Sequence, residues 1–174
     1  MNVPNKLWSR AAFALVAALA LAAGIGFALY DRTPPDASKL LGLTLPDAAG
    51  QPQAVAQWQG KVVAVNFWAT WCGPCREEMP GFVRVQAEYG PKGLQIVGIA
   101  IDNADKVQQF SKELGLNYPA LIGGYSAMDL SKDLGNSLLA LPFTVVLDRQ
   151  GKVAYTHLGP VKPDRFRRIV AKLL

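Results

Sequence analysis

The chain has 174 residues, 51% of them hydrophobic and 18% charged, with 18 basic against 13 acidic side chains and a formal net charge of +5. That length suits about one domain with a core of its own, and the basic excess, part of it Lys6 and Arg10 at the N-terminus, is too small to indicate nucleic-acid binding. Two cysteines and one histidine offer at most three ligands of the kind zinc prefers, one short of a structural zinc centre.

Lys6 and Arg10 precede Ala11 to Tyr30, an uncharged run dominated by Leu, Ala, Val, Ile and Phe. At about 1.5 Å rise per residue, a helix over this run covers roughly 30 Å, the thickness of a bilayer core. A cleaved signal peptide has an apolar core of about 7–15 residues before a small-residue site. Ala18-Leu19-Ala20 would serve as that site, but the apolar run continues to Tyr30, so residues 1–30 read as an uncleaved anchor with one transmembrane helix. The positive-inside rule then leaves Lys6 and Arg10 in the cytoplasm and everything after Tyr30 on the far side, in bacteria the periplasm. Residues 31–40, with Pro34 and Pro35, read as an exposed linker, and residues 41–174 as the domain.

Within the domain, Leu43 to Leu45 and Gln53 to Ala56 are short strand candidates around a turn rich in Pro, Gly and Asp. Val62 to Trp68 is apolar except for Asn66, the pattern of a strand covered on both faces. The chain then turns into a helix that carries both cysteines in its first turn. Unpaired N–H groups and the positive dipole end stabilise a thiolate there, so Cys72 is the activated sulfur. Cys75 lies one turn deeper on the same side, where Cβ atoms are about 5–6 Å apart. A disulfide accepts roughly 4.4–6.8 Å between Cα atoms, so the pair can open and close with little backbone movement. A bridge this local constrains the unfolded chain little, which favours a redox role over a structural one.

Gly73 and Pro74 fall in the first helical turn, where a missing N–H costs little. Pro80 removes a hydrogen bond to the carbonyl of Arg76, and a kink is expected there in a helix continuing to about Tyr89. Leu94 to Ile101 is a second buried strand, followed by a helix to Leu114 with Val107, Phe110 and Leu114 on one face. Strand, helix and strand at this spacing form a parallel crossover. Tyr118 to Ile122 is extended, and Ser126 to Leu134 is a short helix. Phe143 to Leu147 and Lys152 to Leu158 are strands joined by a turn at Asp148 to Gly151. Pro163 opens a last helix with Phe166, Ile169, Val170 and Leu173 on its apolar face; Arg165, Arg168 and Lys172 read as a solvated face, and His157 as a strand residue.

Phe67-Trp68-Ala69-Thr70-Trp71-Cys72-Gly73-Pro74-Cys75, with Pro80 five residues after the second cysteine, resembles the active-site segment of the thioredoxin superfamily. It is most similar to the membrane-anchored periplasmic thiol-disulfide oxidoreductases of the TlpA and ResA group. The resemblance implies an α/β fold: a thioredoxin-like three-layer α/β/α sandwich with a mixed central sheet and an N-terminal strand extension. It implies catalytic roles for Cys72, Cys75, Glu78 and Pro142, and substrate contacts from Trp71, Gly73, Pro74 and Leu141, with no cofactor and no metal. Such proteins place a cis-proline against the cysteine pair, here Pro142, which leaves Leu141 to pair with an extended substrate. Family members usually have Thr directly after that proline, where this chain has Phe143 and then Thr144.

Asn66 is a second departure, because cytoplasmic-type thioredoxins carry a titratable aspartate at that place. The TlpA and ResA group has an acid at the position of Glu78, three residues beyond Cys75. Glu78 then either handles the proton of Cys75 or is a solvated first-turn acid favoured by the helix dipole; Glu77 points elsewhere. The implied activity is dithiol-disulfide exchange that reduces exported proteins, with apocytochrome c as a client and a DsbD- or CcdA-type membrane protein as electron donor. The same chemistry run backwards is an oxidase or isomerase. A copper-binding chaperone is the alternative from another class, and a peroxidase is disfavoured because Val65 and Ala69 occupy two places of the Pro-x-x-x-Thr-x-x-Cys signature.

Overall fold

The computed structural model describes residues 5–30 and 34–174, which fall into two compact units divided after Pro34. In the first unit Asn5–Tyr30 is one helix, α1. The described side chains from Arg10 to Gly26 are exposed all round, Phe13, Leu15, Leu19, Leu21 and Ile25 among them. Among the described residues no helix is long and apolar enough to cross a membrane. The run of described side chains ends at Gly26, short of the roughly 20 apolar residues that a bilayer needs. The remainder of the expected anchor, at 27–30, lies outside the described side chains.

The second unit carries a two-stranded antiparallel ribbon, β1 (Thr44–Pro46) with β2 (Pro52–Ala54), and a five-stranded sheet. The sheet contains β3 (Val62–Trp68), β4 (Leu94–Ala100), β5 (Ala120–Ile122), β6 (Phe143–Leu147) and β7 (Val153–Leu158), in the order β5-β4-β3-β6-β7. Neighbours β3, β4 and β5 are parallel, while β6 and β7 run antiparallel, so the sheet is mixed. Every residue of the central strand β3 is buried, as its nearly unbroken apolar run requires. A bridge between Asp47 and Leu121 ties the leading ribbon to the sheet's β5 edge.

The helices are α2 (Ser38–Leu41), α3 (Gly73–Tyr89), α4 (Ala104–Leu114), α5 (Ser126–Asp133) and α6 (Pro163–Leu173). Helix α3 meets α6 through Phe82 and Phe166, whose ring centroids lie 4.6 Å apart, and Trp68 meets Phe110 of α4 at 5.5 Å. Gly98 permits this packing: a Cβ there would stand 2.7 Å from the Trp68 Nε1.

The sequence reading differs from these bounds in a few places. Of the expected linker, residues 31–33 lie outside the described residues, whereas Ala37 and Leu40 are buried in the domain core and 38–41 is helical. The domain therefore begins earlier than residue 41. The strand expected to reach Ala56 stops at Ala54, because Val55–Trp58 coils into a 3-10 turn that buries Val55 and Trp58. Helix α3 runs through Pro80 to Tyr89.

Candidate active site

Strand β3 delivers the chain to a tight turn, and α3 leaves that turn with Cys72 as its capping residue. Cys72 has extended backbone geometry, and its Sγ accepts the N–H of Cys75 at 3.3 Å. This side chain occupies the place that a serine or aspartate fills at other helix starts. The turn is braced from the loop after β4, since Asp102 accepts both the hydroxyl and the N–H of Thr70. Burial pushes the Asp102 carboxyl up, but the bonds from Thr70 and Asn103 and the charge of Lys106 outweigh it and hold the group below its usual value. It stays ionised as a fixed brace.

Cys72 and Cys75 form a disulfide with their Cα atoms 5.3 Å apart. Their access to solvent differs: Cys72 keeps 6% of its surface and Cys75 none. A visiting thiolate or disulfide can reach only the first sulfur. Trp71 stands beside it with 64% of its surface exposed, while Trp68 is fully buried. A groove of about 580 Å³ runs from Cys72 past Trp71 and Pro74 to Met128, Leu139 and Leu141, and no charged side chain lines it. Gly73 is exposed at the turn, outside the groove lining.

The Leu141-Pro142 peptide is cis, the geometry expected at this place. Pro142 is buried behind the groove and its carbonyl accepts the N–H of Gly159 at 2.8 Å. Leu141 faces the groove, and neither its N–H nor its C=O has a backbone partner among the described residues.

Glu78 lies one turn beyond Cys75 with 4% of its surface exposed, so it is not a solvated acid; Glu77 is exposed. One carboxylate oxygen accepts Asn66 Nδ2 at 2.9 Å and the other accepts the N–H of Val161 at 2.8 Å. Asn66 Nδ2 also donates to Thr144 Oγ1 at 3.1 Å, joining three elements beneath the cysteines. Burial pushes the Glu78 carboxyl up to about 7, against the opposing pull of its two donors. The structure thus brings Cys72, Trp71, Pro74 and Leu141 to one groove, with Cys75 bonded to Cys72 beneath the surface, Pro142 buried next to Leu141 and Glu78 one turn further along α3.

Sequence reasoning gave no site role to Val161, to Thr144 or to Leu139 of the groove. Tyr125 carried a usable signal, a large aromatic group between Gly124 and Ser126 at a turn; it is 85% exposed. His157 sits on β7, away from the cysteines' lining, and among the described residues no group of three or more His, Cys, Asp and Glu is placed to hold a metal.

The sequence pattern of the family described as Redoxin matches residues 31–173. The thiol-disulfide oxidoreductase ResA of Bacillus cereus (strain ATCC 10987) is 29% identical over 174 residues, covering 95% of this chain and 97% of the relative. A thioredoxin-like protein of Bacillus subtilis, YneN, is 33% identical over 120 residues, 67% of each chain. Among solved structures, a thiol:disulfide interchange protein of the thioredoxin family from Chlorobium tepidum TLS superposes with a TM-score of 0.68 at 30% identity. That likeness covers 82% of this chain and 97% of the other.

Proposed function

The chain belongs to the Redoxin family and is a thiol-disulfide oxidoreductase of thioredoxin-like fold; on that premise we propose that it reduces disulfides of exported proteins, Cys72 attacking and Cys75 resolving. One observation carries the assignment of roles: Cys72 opens onto the groove and Cys75 is closed off, both at the start of α3. In the reduced protein the Cys72 thiolate, held by the helix start, attacks a client disulfide. A bond forms between Cys72 and one client sulfur, and the other client sulfur leaves as a thiolate. Cys75 then gives up its proton and attacks the Cys72 sulfur, forming the Cys72-Cys75 bridge and expelling the second client thiolate. Two electrons pass to the client, and its two thiolates take up protons. Glu78, with a carboxyl near 7, can hold the proton that Cys75 releases.

The Gly73-Pro74 dipeptide resembles that of reducing thioredoxins and supports this direction. Recharging the pair outside the cytoplasm requires electrons from across the membrane, for which a DsbD- or CcdA-type donor is the fitting class, and apocytochrome c is the client that the ResA likeness suggests. Residues 11–30 hold the chain in the inner membrane with the catalytic domain in the periplasm. Two measurements on the full chain test this. Cys75→Ser is expected to accumulate a mixed disulfide with clients at Cys72, which Cys72→Ser does not form. The Cys72-Cys75 couple is expected near the roughly −270 mV of thioredoxin, and a value near the roughly −120 mV of DsbA would turn the reading into an oxidase.

A further inference from the structure

The loop between α5 and β6 is built around a buried side chain that the exchange steps do not use. Asn136 has no exposed surface, and a carboxamide is tolerated there only if its donors and acceptor are paired. Its Nδ2 donates to Ser131 Oγ at 3.0 Å and to the carbonyl of Ala140 at 2.9 Å, while its Oδ1 accepts the N–H of Ala140 at 3.1 Å. Ser131, equally buried, passes the connection into α5 by donating to the carbonyl of Met128 at 2.8 Å. The amide therefore grips Ala140 by both its N–H and its C=O, much as a neighbouring strand would.

Within the gripped loop Leu139 has φ 49. A residue with a Cβ avoids that left-handed region and stays there only where its surroundings impose it. The backbone contributes to the constraint, since the N–H of Leu139 donates to the carbonyl of Asn136 at 3.1 Å. The outcome is that Leu139, Ala140 and Leu141 form one wall of the groove that ends at Cys72. Asn136 itself does not line that groove.

Resting on the oxidoreductase reading above, we propose that Asn136 is a positioning residue for client docking. By clamping Ala140 it fixes the Leu139 to Leu141 wall, shaping the groove for an extended segment with apolar side chains beside its cysteine. The absence of charge in the lining and the unpaired backbone of Leu141 select that chemistry over a charged or helical segment.

The test uses the full chain and a short leucine-rich peptide with serine in place of the cysteine, so that docking is read without electron transfer. Asn136→Ala is expected to weaken peptide binding about tenfold, the scale of a single well-placed contact, while the equilibrium constant of the Cys72-Cys75 couple against glutathione stays within about twofold. Ser131→Ala removes the side-chain bond that orients the Asn136 amide while the backbone bond from Asn136 to Ser131 stays, so the grip on Ala140 loosens and a loss of about threefold is expected; this variant carries the test should Asn136→Ala fail to fold. Wild-type affinity in a folded Asn136→Ala chain, or in Ser131→Ala where that chain does not fold, overturns the proposal. So does an equal change in the redox equilibrium, which would mark a disturbed cysteine site instead of a disturbed wall. A wild-type chain that binds the peptide but whose Cys72-Cys75 disulfide joins two copies of the matching cysteine peptide into one disulfide, becoming the dithiol at equilibrium, overturns the direction proposed above and leaves the clamp standing.

Discussion

Glu78 is the residue whose charge state the fold has altered most consequentially for the site. Its folded value of about 7 stands above an unfolded value near 4.5, so the folded protein holds a proton that the unfolded chain has lost between those pH values. The stability from this proton is complete below about 4.5 and is lost as pH rises through 7. The gap corresponds to about 3 kcal/mol at most. Urea unfolding of the oxidised protein at pH 5 and pH 8 is expected to show the wild type losing about 2 kcal/mol more than Glu78→Gln over that interval. Equal losses in both proteins would show that Glu78 titrates normally. At pH 5 the variant is expected to be the weaker protein, by about 1–3 kcal/mol, because a glutamine offers one acceptor to the two donors Asn66 and Val161. The cysteine pair was legible because its spacing and helix-start position are local facts. The state of Glu78 was not, since the N–H that satisfies it belongs to Val161 and only the folded chain brings the two together.

Elements were legible where one signal dominated. Strands β3 and β4 announce themselves by apolar runs too long for a turn and too short for a helix, α4 and α6 by their apolar spacing, and α3 by its Gly and Pro in the first turn. Ends were less legible, because they are set by tertiary contacts: Val55 leaves its strand to fill the core, and Leu40 joins the core from a segment that reads as linker. Gly98 shows how such a contact constrains a strand from outside it. Alanine at this position would bring a methyl group to 2.7 Å from the buried Trp68 ring, with the Pro119 carbonyl at 3.7 Å leaving little room for retreat. Gly98→Ala is expected to destabilise the protein by about 1–3 kcal/mol through overpacking, measured as a lower urea midpoint with unchanged slope. A wild-type midpoint would mean that Trp68 shifts freely, against its complete burial between β4 and Phe110 of α4.

At the scale of the whole molecule, a domain with a continuous core is joined to a helix that buries none of its described apolar side chains. Phe13, Leu15, Val16, Leu19, Leu21 and Ile25 each leave more than half of their surface uncovered. In water an apolar face of that extent calls for a partner, and a hydrocarbon layer satisfies it on every side of the helix while the helix satisfies its own backbone. Under the anchor proposed above the two units meet different solvents, and cutting between them should separate two behaviours. In bacterial cells the full chain is expected in the membrane pellet after an alkaline carbonate wash, with residues 35–174 alone in the supernatant. The shorter chain should keep the urea midpoint of the full chain and its rate of reduction by dithiothreitol, because Cys72, its groove and Glu78 all lie beyond Pro35. Expression of the full chain that yields a product in solution with the mass of residues 21–174 would show a signal peptide in place of an anchor. In that case the domain would meet its clients by diffusion, without the local concentration that tethering to one membrane provides.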